Sequence, residues 1–279
     1  GRKMNRKAIG FFGAGSMAQA ILDGILAERA VPPENIYVTN RSNDERLRLL
    51  KEKYGLHITR DYSEIASNCR YLLISVKPKD VAALLAALKK LVTPEHVIVS
   101  VAAGITTDYI ESCLGIEVPV IRVMPNTSCR VRESATGIAF GRFTASEEEE
   151  YVKRIFAAIG QVVTVEEELM DAVTGLAGSG PAYIYLVMEA LIQAGTAQGL
   201  PRELSEELTY QMVYGAAKMA FSTREAPKEL IRQIATPGGT TMAGLQALES
   251  ANIAGAFMDA VQSAARRSRE MTQEYCKKD

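Results

Sequence analysis

The sequence predicts an α/β protein with a doubly wound, mainly parallel sheet, followed by an all-helical C-terminal region. Short apolar runs alternate with amphipathic helical patterns as far as residue 166. The first of these runs, residues 8–12, is apolar at every position, as is typical of a parallel strand that is covered on both faces. From Leu169 onward only helical patterns follow. We therefore expect two domains, at residues 1–166 and 167–279.

The elements follow from these patterns in chain order. Strands are predicted at residues 8–12, 36–39, 71–75, 97–101, 118–123, 135–140 and 161–165. The first helix has apolar residues at spacings of three and four, namely Met17, Ile21, Leu22, Ile25 and Leu26. Later helices are predicted at residues 44–53 and 81–91, from residue 146, and at residues 181–198, 202–222, 227–234, 241–249 and 252–275.

The turn between the first strand and the first helix is rich in glycine. Gly13 permits a tight turn, and Gly15 has no Cβ to keep a pyrophosphate away from the backbone. Ala18 is small enough for the helix to approach the strand. An ordinary glycine turn is the alternative, but the strand before and the helix after favour a dinucleotide site. The predicted cofactor residues of this turn are Gly13, Ala14, Gly15, Ser16, Met17 and Ala18.

The residues after the second strand bear on the choice of cofactor. Asn40, Arg41 and Ser42 stand where an NAD enzyme often has an acidic residue for the ribose 2′-hydroxyl. Arg41 can bind a 2′-phosphate through two parallel hydrogen bonds. The sequence therefore favours NADP(H), with NAD(H) as the other candidate. The alternative for Arg41 is a cap on a solvated loop.

Further cofactor contacts are predicted at the carboxyl ends of later strands, the edge where open α/β sheets bind ligands. Asn126 follows a proline and can present its amide to a nicotinamide carboxamide, although a simple turn residue is equally consistent with its type. The other predicted contacts are Ser75, Val76, Lys77, Pro78, Val101, Ala102 and Ala103.

Composition limits the partners. Thirty-two basic and 33 acidic residues give a net charge of −1, which offers no electrostatic argument for nucleic acid or a membrane. The four cysteines are scattered and there are only two histidines, so we expect no metal site. No transmembrane span is expected. Because residues 1–7 lead into a strand rather than an apolar leader, we expect a cytoplasmic protein.

The first two C-terminal helices carry apolar residues over much of their surface. A domain of this size has little interior in which to bury them alone. We therefore expect an obligate homodimer with interleaved helices.

A glycine-rich segment at residues 235–243 places backbone N–H groups beside hydroxyls at a predicted helix start, an arrangement suited to a carboxylate. A capped helix after a flexible loop is the alternative.

The whole chain resembles the pyrroline-5-carboxylate reductase family. The matching motifs are residues 13–18, 75–78, 122–127, 178–183 and 236–241, continuing to residues 248–250. The resemblance implies a Rossmann domain, a helical dimerisation domain and a small-molecule substrate, 1-pyrroline-5-carboxylate. It also implies that the cofactor of one subunit meets the substrate loop of the other, and family members often form rings of dimers.

The resemblance further implies the roles of the substrate residues. Thr236, Gly238, Gly239 and Thr240 would hold the substrate carboxylate, and Thr241 would hydrogen-bond the ring nitrogen as the catalytic residue. The acidic residues 166–168 match the stretch that precedes the family's first long helix, which adds Glu167 to the predicted substrate contacts.

The implied activity is NAD(P)H-dependent reduction of a C=N bond to give L-proline, the last step of proline biosynthesis. Such a reduction needs a hydride and one proton, so a site without histidine is sufficient if the imine binds protonated. A related NADP-dependent imine or β-hydroxyacid dehydrogenase is the alternative. The latter class has a catalytic lysine after its glycines, and this chain has Ile184 there. A non-enzymatic NADP-sensing dimer is a further alternative, but no partner-binding tail is apparent.

Overall fold

The computed structural model describes residues 4–277 and contains one sheet of eight strands. The strand order is β3-β2-β1-β4-β5-β6-β7-β8. The strands are β1 (Asn5–Phe12), β2 (Ile36–Thr39), β3 (His57–Ile58), β4 (Cys69–Ile74), β5 (Val97–Ser100), β6 (Val120–Met124), β7 (Ser134–Phe140) and β8 (Gly160–Thr164). All neighbours pair in parallel except β6 and β7. The predicted doubly wound, mainly parallel sheet is confirmed.

The core lies on both faces of this sheet, which explains why residues 8–12 of β1 are apolar at every position. In β1, Ile9 and Phe11 join one cluster of buried side chains, whereas Ala8 and Phe12 join the other. Because successive side chains point to opposite faces, a strand covered on both sides needs an unbroken apolar run. Complete burial of an isoleucine or phenylalanine side chain, such as that of Ile9 or Phe11, stabilises the fold by about 1.5–3 kcal/mol.

The helices of the sheet region divide between the two faces. Side chains of α1, α2 and α6 contribute to the first cluster, and those of α3, α4 and α5 to the second. The bounds are α1 (Ser16–Ala27), α2 (Asp44–Tyr54), α3 (Tyr62–Asn68), α4 (Pro78–Leu88), α5 (Thr107–Leu114), α6 (Ser146–Ala157) and α7 (Met170–Val173). A π-helical turn, Thr174–Gly178, follows α7.

Five further helices lie close to their predicted bounds. They are α8 (Gly180–Ala197), α9 (Arg202–Thr223), α10 (Pro227–Ile234), α11 (Thr240–Ser250) and α12 (Ile253–Tyr275). The sequence patterns did not predict the short elements β3, α3 and α5. It also started the strand at residues 118–123 too early, because β6 begins only after Pro119, which has no N–H to donate.

The chain divides into two compact units, one formed by residues 4–179 with 263–277 and the other by residues 180–262. The functional boundary between residues 166 and 167 stays a prediction, since compactness alone does not define a functional domain.

The helical run Glu167–Ala197 is long and apolar enough to meet a length and composition test for a membrane span. A helix that packs against a second protein chain meets the same test, so this result is weak support for a membrane location.

Candidate dinucleotide and substrate sites

The glycine turn after β1 has a backbone that only glycine adopts without strain. Gly13 has a φ of +112°, and its N–H donates to the carbonyl oxygen of Thr39 at 2.9 Å. A Cβ built on Gly13 would lie 2.9 Å from the backbone carbonyl group of Ser75. The turn therefore brings the ends of β1, β2 and β4 together at the carboxyl edge of the sheet.

The N-terminus of α1 opens into free space. Gly15 is the N-cap of this helix, and no side chain in the described part of the chain caps it. A Cβ built on Gly15 would have no heavy atom within 4 Å, apart from its own chain neighbours. The first N–H groups of a helix have no partner within the helix and attract anions. The turn thus fits a dinucleotide pyrophosphate, while buried Ala14 and Ala18 belong to the core beside it.

Arg46 supports this turn from α2 and was missed by sequence reasoning. Its Nε donates to the carbonyl oxygen of Ala14 at 2.7 Å, and its Nη2 donates to that of Gly15 at 3.4 Å. Nothing in the sequence around Arg46 indicates this contact, because it joins residues far apart in the chain. The guanidinium fixes the carbonyl side of the turn and leaves the opposite N–H side for a ligand.

A cavity of about 230 Å³ lies beside the turn. It brings together four of the predicted cofactor residues, Gly13, Asn40, Arg41 and Val76. The remaining lining is mostly apolar and was not predicted, namely Phe12, Thr39, Tyr62, Asp80, Ala83, Leu84 and Ala87. An apolar pocket that ends at an arginine suits an adenine ring whose ribose carries a phosphate.

The loop after β2 is held by its own side chains. The amide of Asn40 donates to the carbonyl oxygen of Asn43 at 2.8 Å and accepts from Nη2 of Arg60 at 2.9 Å. Arg60 also pairs with Asp44 at 2.7 Å. Arg41 and Ser42 are exposed at the end of this loop. Asn40 therefore orders the loop, while the guanidinium of Arg41 faces solvent.

The loop after β4 lies beside the glycine turn, and the loop after β5 lies beside the end of β4. The N–H of Ser75 donates to the carbonyl oxygen of Phe12 at 2.9 Å, and that of Val101 donates to the carbonyl oxygen of Ile74 at 3.0 Å. Pro78 begins α4, with exposed Lys77 as its N-cap. In the next loop Ala102 is buried, whereas Val101 and Ala103 remain partly exposed.

Asn126 is 8% exposed, and both ends of its amide already have partners. Its Oδ1 accepts from the N–H of Ser128 at 2.9 Å, and its Nδ2 donates to the carbonyl oxygen of Ala177 at 3.1 Å. The side chain links the end of β6 to the π-helical turn. Its contact with a nicotinamide carboxamide stays a prediction.

Glu167 also has partners within the chain. Its carboxylate accepts from the N–H of Thr107 at 3.2 Å and from the hydroxyl of Thr107 at 3.1 Å. Sequence reasoning placed Glu167 at the substrate, and that role stays a prediction. The contact with α5 was not visible in the sequence, because α5 itself was not predicted.

The predicted substrate loop lies in the second compact unit. Gly238 has a φ of +78°, and the N–H of Gly239 donates to the carbonyl oxygen of Thr236 at 3.0 Å. This tight turn leads into α11, whose N-cap is Gly239 and which no side chain among residues 4–277 caps. The first N–H groups of α11, at Thr240 and Thr241, are therefore available to an anion beside two hydroxyl groups.

The sheet, the strained glycine turn and the open helix N-terminus define a dinucleotide-binding protein of the Rossmann class. Across the described residues no three histidine, cysteine or acidic side chains come together as metal ligands. The family described as pyrroline-5-carboxylate reductase dimerisation matches residues 167–271. The family described as NADP oxidoreductase coenzyme F420-dependent matches residues 8–104.

Individual relatives agree with both matches. The chain is 42% identical to pyrroline-5-carboxylate reductase 1 of Bacillus subtilis over 97% of this chain and 91% of that protein. It is 40% identical to the Arabidopsis thaliana reductase over 95% of each chain. The chain therefore belongs to the pyrroline-5-carboxylate reductase family.

Solved structures agree with this assignment. The Coxiella burnetii reductase is 37% identical, with a TM-score of 0.90 over 96% of this chain and 99% of that one. The Plasmodium falciparum enzyme, solved with NADP bound, is 30% identical, with a TM-score of 0.85 over the same shares. The predicted combination of a Rossmann sheet and a helical dimerisation region is thus confirmed.

Proposed function

We propose that this protein reduces 1-pyrroline-5-carboxylate to L-proline with NADPH, the last step of proline biosynthesis. The observation that carries this proposal is about 40% identity to pyrroline-5-carboxylate reductases over nearly the whole chain. The open N-terminus of α1 supports a dinucleotide as the second reactant. The exposed Arg41 and the absence of a carboxylate at residues 40–42 support NADPH over NADH.

Each predicted group has a separate task in this reaction. Bound NADPH would supply the hydride to the carbon of the C=N bond. The amides of Gly238, Gly239 and Thr240, with the hydroxyl of Thr236, hold the substrate carboxylate at the positive end of α11. Thr241 orients the ring nitrogen, which enters the site already protonated, so no strong protein acid is required.

Two copies of the chain complete the active site in this proposal. Residues 167–279 act as the dimerisation and substrate domain and residues 1–166 as the cofactor domain, so the cofactor of one subunit meets the substrate loop of its partner. The exposed apolar side chains of α8 and α9 support a homodimer with interleaved helices. We place this homodimer, or a ring of such dimers, in the cytoplasm and away from membranes.

The test is consumption of NADPH and NADH by the purified protein with 1-pyrroline-5-carboxylate, with the product identified as proline by mass spectrometry. We expect turnover with both cofactors and a higher kcat/KM with NADPH. The six-membered homologue of the substrate measures tolerance of ring size. Protein that binds NADPH but does not oxidise it with this substrate would refute the proposal.

A β-hydroxyacid dehydrogenase is the rival that the same assay addresses. Its catalytic lysine would stand at Ile184, which can neither donate nor accept a proton. We therefore expect no reduction of NADP when simple 3-hydroxy acids are supplied.

A further inference from the structure

A charged cluster around the buried Arg122 lies next to the loop that joins β5 to α5, residues 101–106. Arg122 on β6 is 4% exposed, and its backbone pairs with that of Ser100, the last residue of β5. Burial lowers the pKa of Arg122, while the carboxylates of Glu167 and Asp171 act in the opposite direction. A buried guanidinium needs such counter-charges, because an unpaired buried charge is strongly destabilising.

Glu167 connects this cluster to the first turn of α5. Thr107 is the first residue of that helix, and both its N–H and its hydroxyl donate to the Glu167 carboxylate. A carboxylate at this position gives the helix N–H a partner and opposes the positive end of the helix dipole. The carboxylate therefore fixes the point at which loop 101–106 enters α5.

Asp171 connects the same cluster to α12. It accepts a hydrogen bond of 2.6 Å from the hydroxyl of Ser268, which is buried. Beyond Ser268, α12 packs directly on the loop: a Cβ built on Gly104 would lie 3.3 Å from the Cβ of Met271. The thiol of Cys276 donates to the carbonyl oxygen of Gly104 at 3.4 Å. Loop 101–106 is thus held at its middle by α12 and at its end by Glu167.

We propose that Glu167, balanced by Arg122, is a positioning residue that holds loop 101–106 against the nicotinamide, and not a substrate ligand. This inference rests on the proposed function, in which NADPH binds, and it assigns the predicted cofactor contacts Val101, Ala102 and Ala103 to the nicotinamide end of NADPH. The carboxylate of Glu167 is already bound to Thr107, the first residue of α5, and α5 directly follows this loop. Because a misplacement of about 1 Å can lower a rate about a hundredfold, a loosened loop slows hydride transfer more than it weakens binding.

The test uses both partners of the hydrogen bonds. Glu167→Gln removes the charge and one acceptor, whereas Thr107→Val removes the hydroxyl and keeps the shape. Thr107→Ser is the conservative variant, and Glu168→Gln is the matched control because Glu168 is exposed. For each we would measure kcat, the KM for both reactants, and the isotope effect with NADPH deuterated at the transferred position.

We expect Glu167→Gln and Thr107→Val to lower kcat about tenfold, with the KM for 1-pyrroline-5-carboxylate within about twofold of wild type. The isotope effect on kcat should increase as hydride transfer becomes rate-limiting. Thr107→Ser and Glu168→Gln should behave as wild type. The double variant of Thr107→Val and Glu167→Gln should be no slower than the slower single variant, since both remove the same link.

Three results would overturn the inference: a raised substrate KM with unchanged kcat in Glu167→Gln, wild-type kinetics in Thr107→Val, or additive losses in the double variant. If Glu167→Gln does not fold, the pair of Thr107 variants decides the question. A wild-type protein that cannot reduce 1-pyrroline-5-carboxylate would refute the proposed function itself. An active wild type with an unimpaired Thr107→Val refutes only the positioning role.

Discussion

The two compact units differ in how far they bury their large apolar side chains. In the sheet unit, large apolar side chains fill both faces of the sheet and form two clusters. In the helical unit, the described residues of α8 include one buried side chain, Ile192, and those of α9 include only Ser205 and Thr209. Burial of apolar surface is the main force that opposes the loss of chain entropy on folding. The helical unit therefore lacks within one chain the core that the sheet unit has.

The exposed side chains of the helical unit show where the missing partner surface would lie. On α8 and α9 they are large and apolar, namely Ile184, Tyr185, Leu186, Leu191, Leu204, Leu208, Tyr210, Met212, Tyr214, Met219 and Phe221. Many large apolar side chains exposed on two neighbouring helices indicate a protein interface. The match of residues 167–271 to a family described by its dimerisation agrees with this conclusion.

The test with the largest expected effect compares two variants, one that places a carboxylate on the helical unit and one that places a carboxylate on the sheet unit. Leu186→Glu introduces a carboxylate on α8, where the side chain is 71% exposed. We expect it to prevent dimerisation and to lower kcat/KM at least a hundredfold, since an interfacial charge left unpaired is costly. Leu49→Glu on α2, 46% exposed, should leave both unchanged. Light scattering and steady-state assays measure these outcomes, and an active, dimeric Leu186→Glu protein would contradict our view of the helical face.

The next test concerns the stability of the sheet unit. Gly13→Ala forces a side chain to adopt a positive φ and to meet the backbone of Ser75, which should destabilise the protein by about 1–3 kcal/mol. Gly15→Ala should leave the Tm unchanged, because the added Cβ points into open space, but should weaken NADPH binding. Thermal unfolding with and without NADPH separates the two variants. Equal Tm losses would mean that the turn has no special strain at Gly13.

A third test addresses the proposed catalytic role of the helical unit. Thr241→Ala removes the hydroxyl that orients the ring nitrogen, so kcat should fall roughly tenfold to a hundredfold with little change in the KM for NADPH. Thr241→Ser retains the hydroxyl and should recover most of the rate. Unchanged kinetics in the alanine variant would remove Thr241 from the catalytic assignment.

The smallest expected effect belongs to the cofactor loop of the sheet unit. Arg41→Ala should raise the KM for NADPH about tenfold, the lower end expected for loss of a charged hydrogen bond at an exposed site. The KM for NADH should not change, since NADH has no 2′-phosphate. Arg48→Ala on α2 is the control, because this exposed arginine pairs only with neighbouring glutamates in the described structure. Equal changes for both cofactors would contradict the phosphate contact.

Local patterns predicted much of this molecule. The apolar runs located seven of the eight strands, and the bounds of α8 to α12 were close to those observed. The strand β3 was not predicted because its two residues, His57 and Ile58, are too few to show a periodicity, and they form a strand through their pairing with β2. The glycine turn was predicted correctly as a link between strand and helix, since its conformation depends on neighbouring residues.

Side-chain partners were beyond the reach of the sequence. Arg46 reaches the carbonyl groups of Ala14 and Gly15, and Glu167 reaches Thr107, across separations of many residues. Neither contact leaves a periodic or compositional signal. Only the packed structure brings these groups within hydrogen-bond distance.

The amino-acid order by itself determined the succession of strands and helices, the glycines that admit a dinucleotide, and the apolar helices that call for a second chain. These properties follow from steric limits on the backbone and from the spacing of apolar residues along it. Tertiary structure alone decided which carboxylate and guanidinium groups meet distant parts of the chain, such as Glu167 at Thr107 and Arg46 at the glycine turn. Charges separated in sequence acquire partners only after the strands between them have been arranged in a sheet.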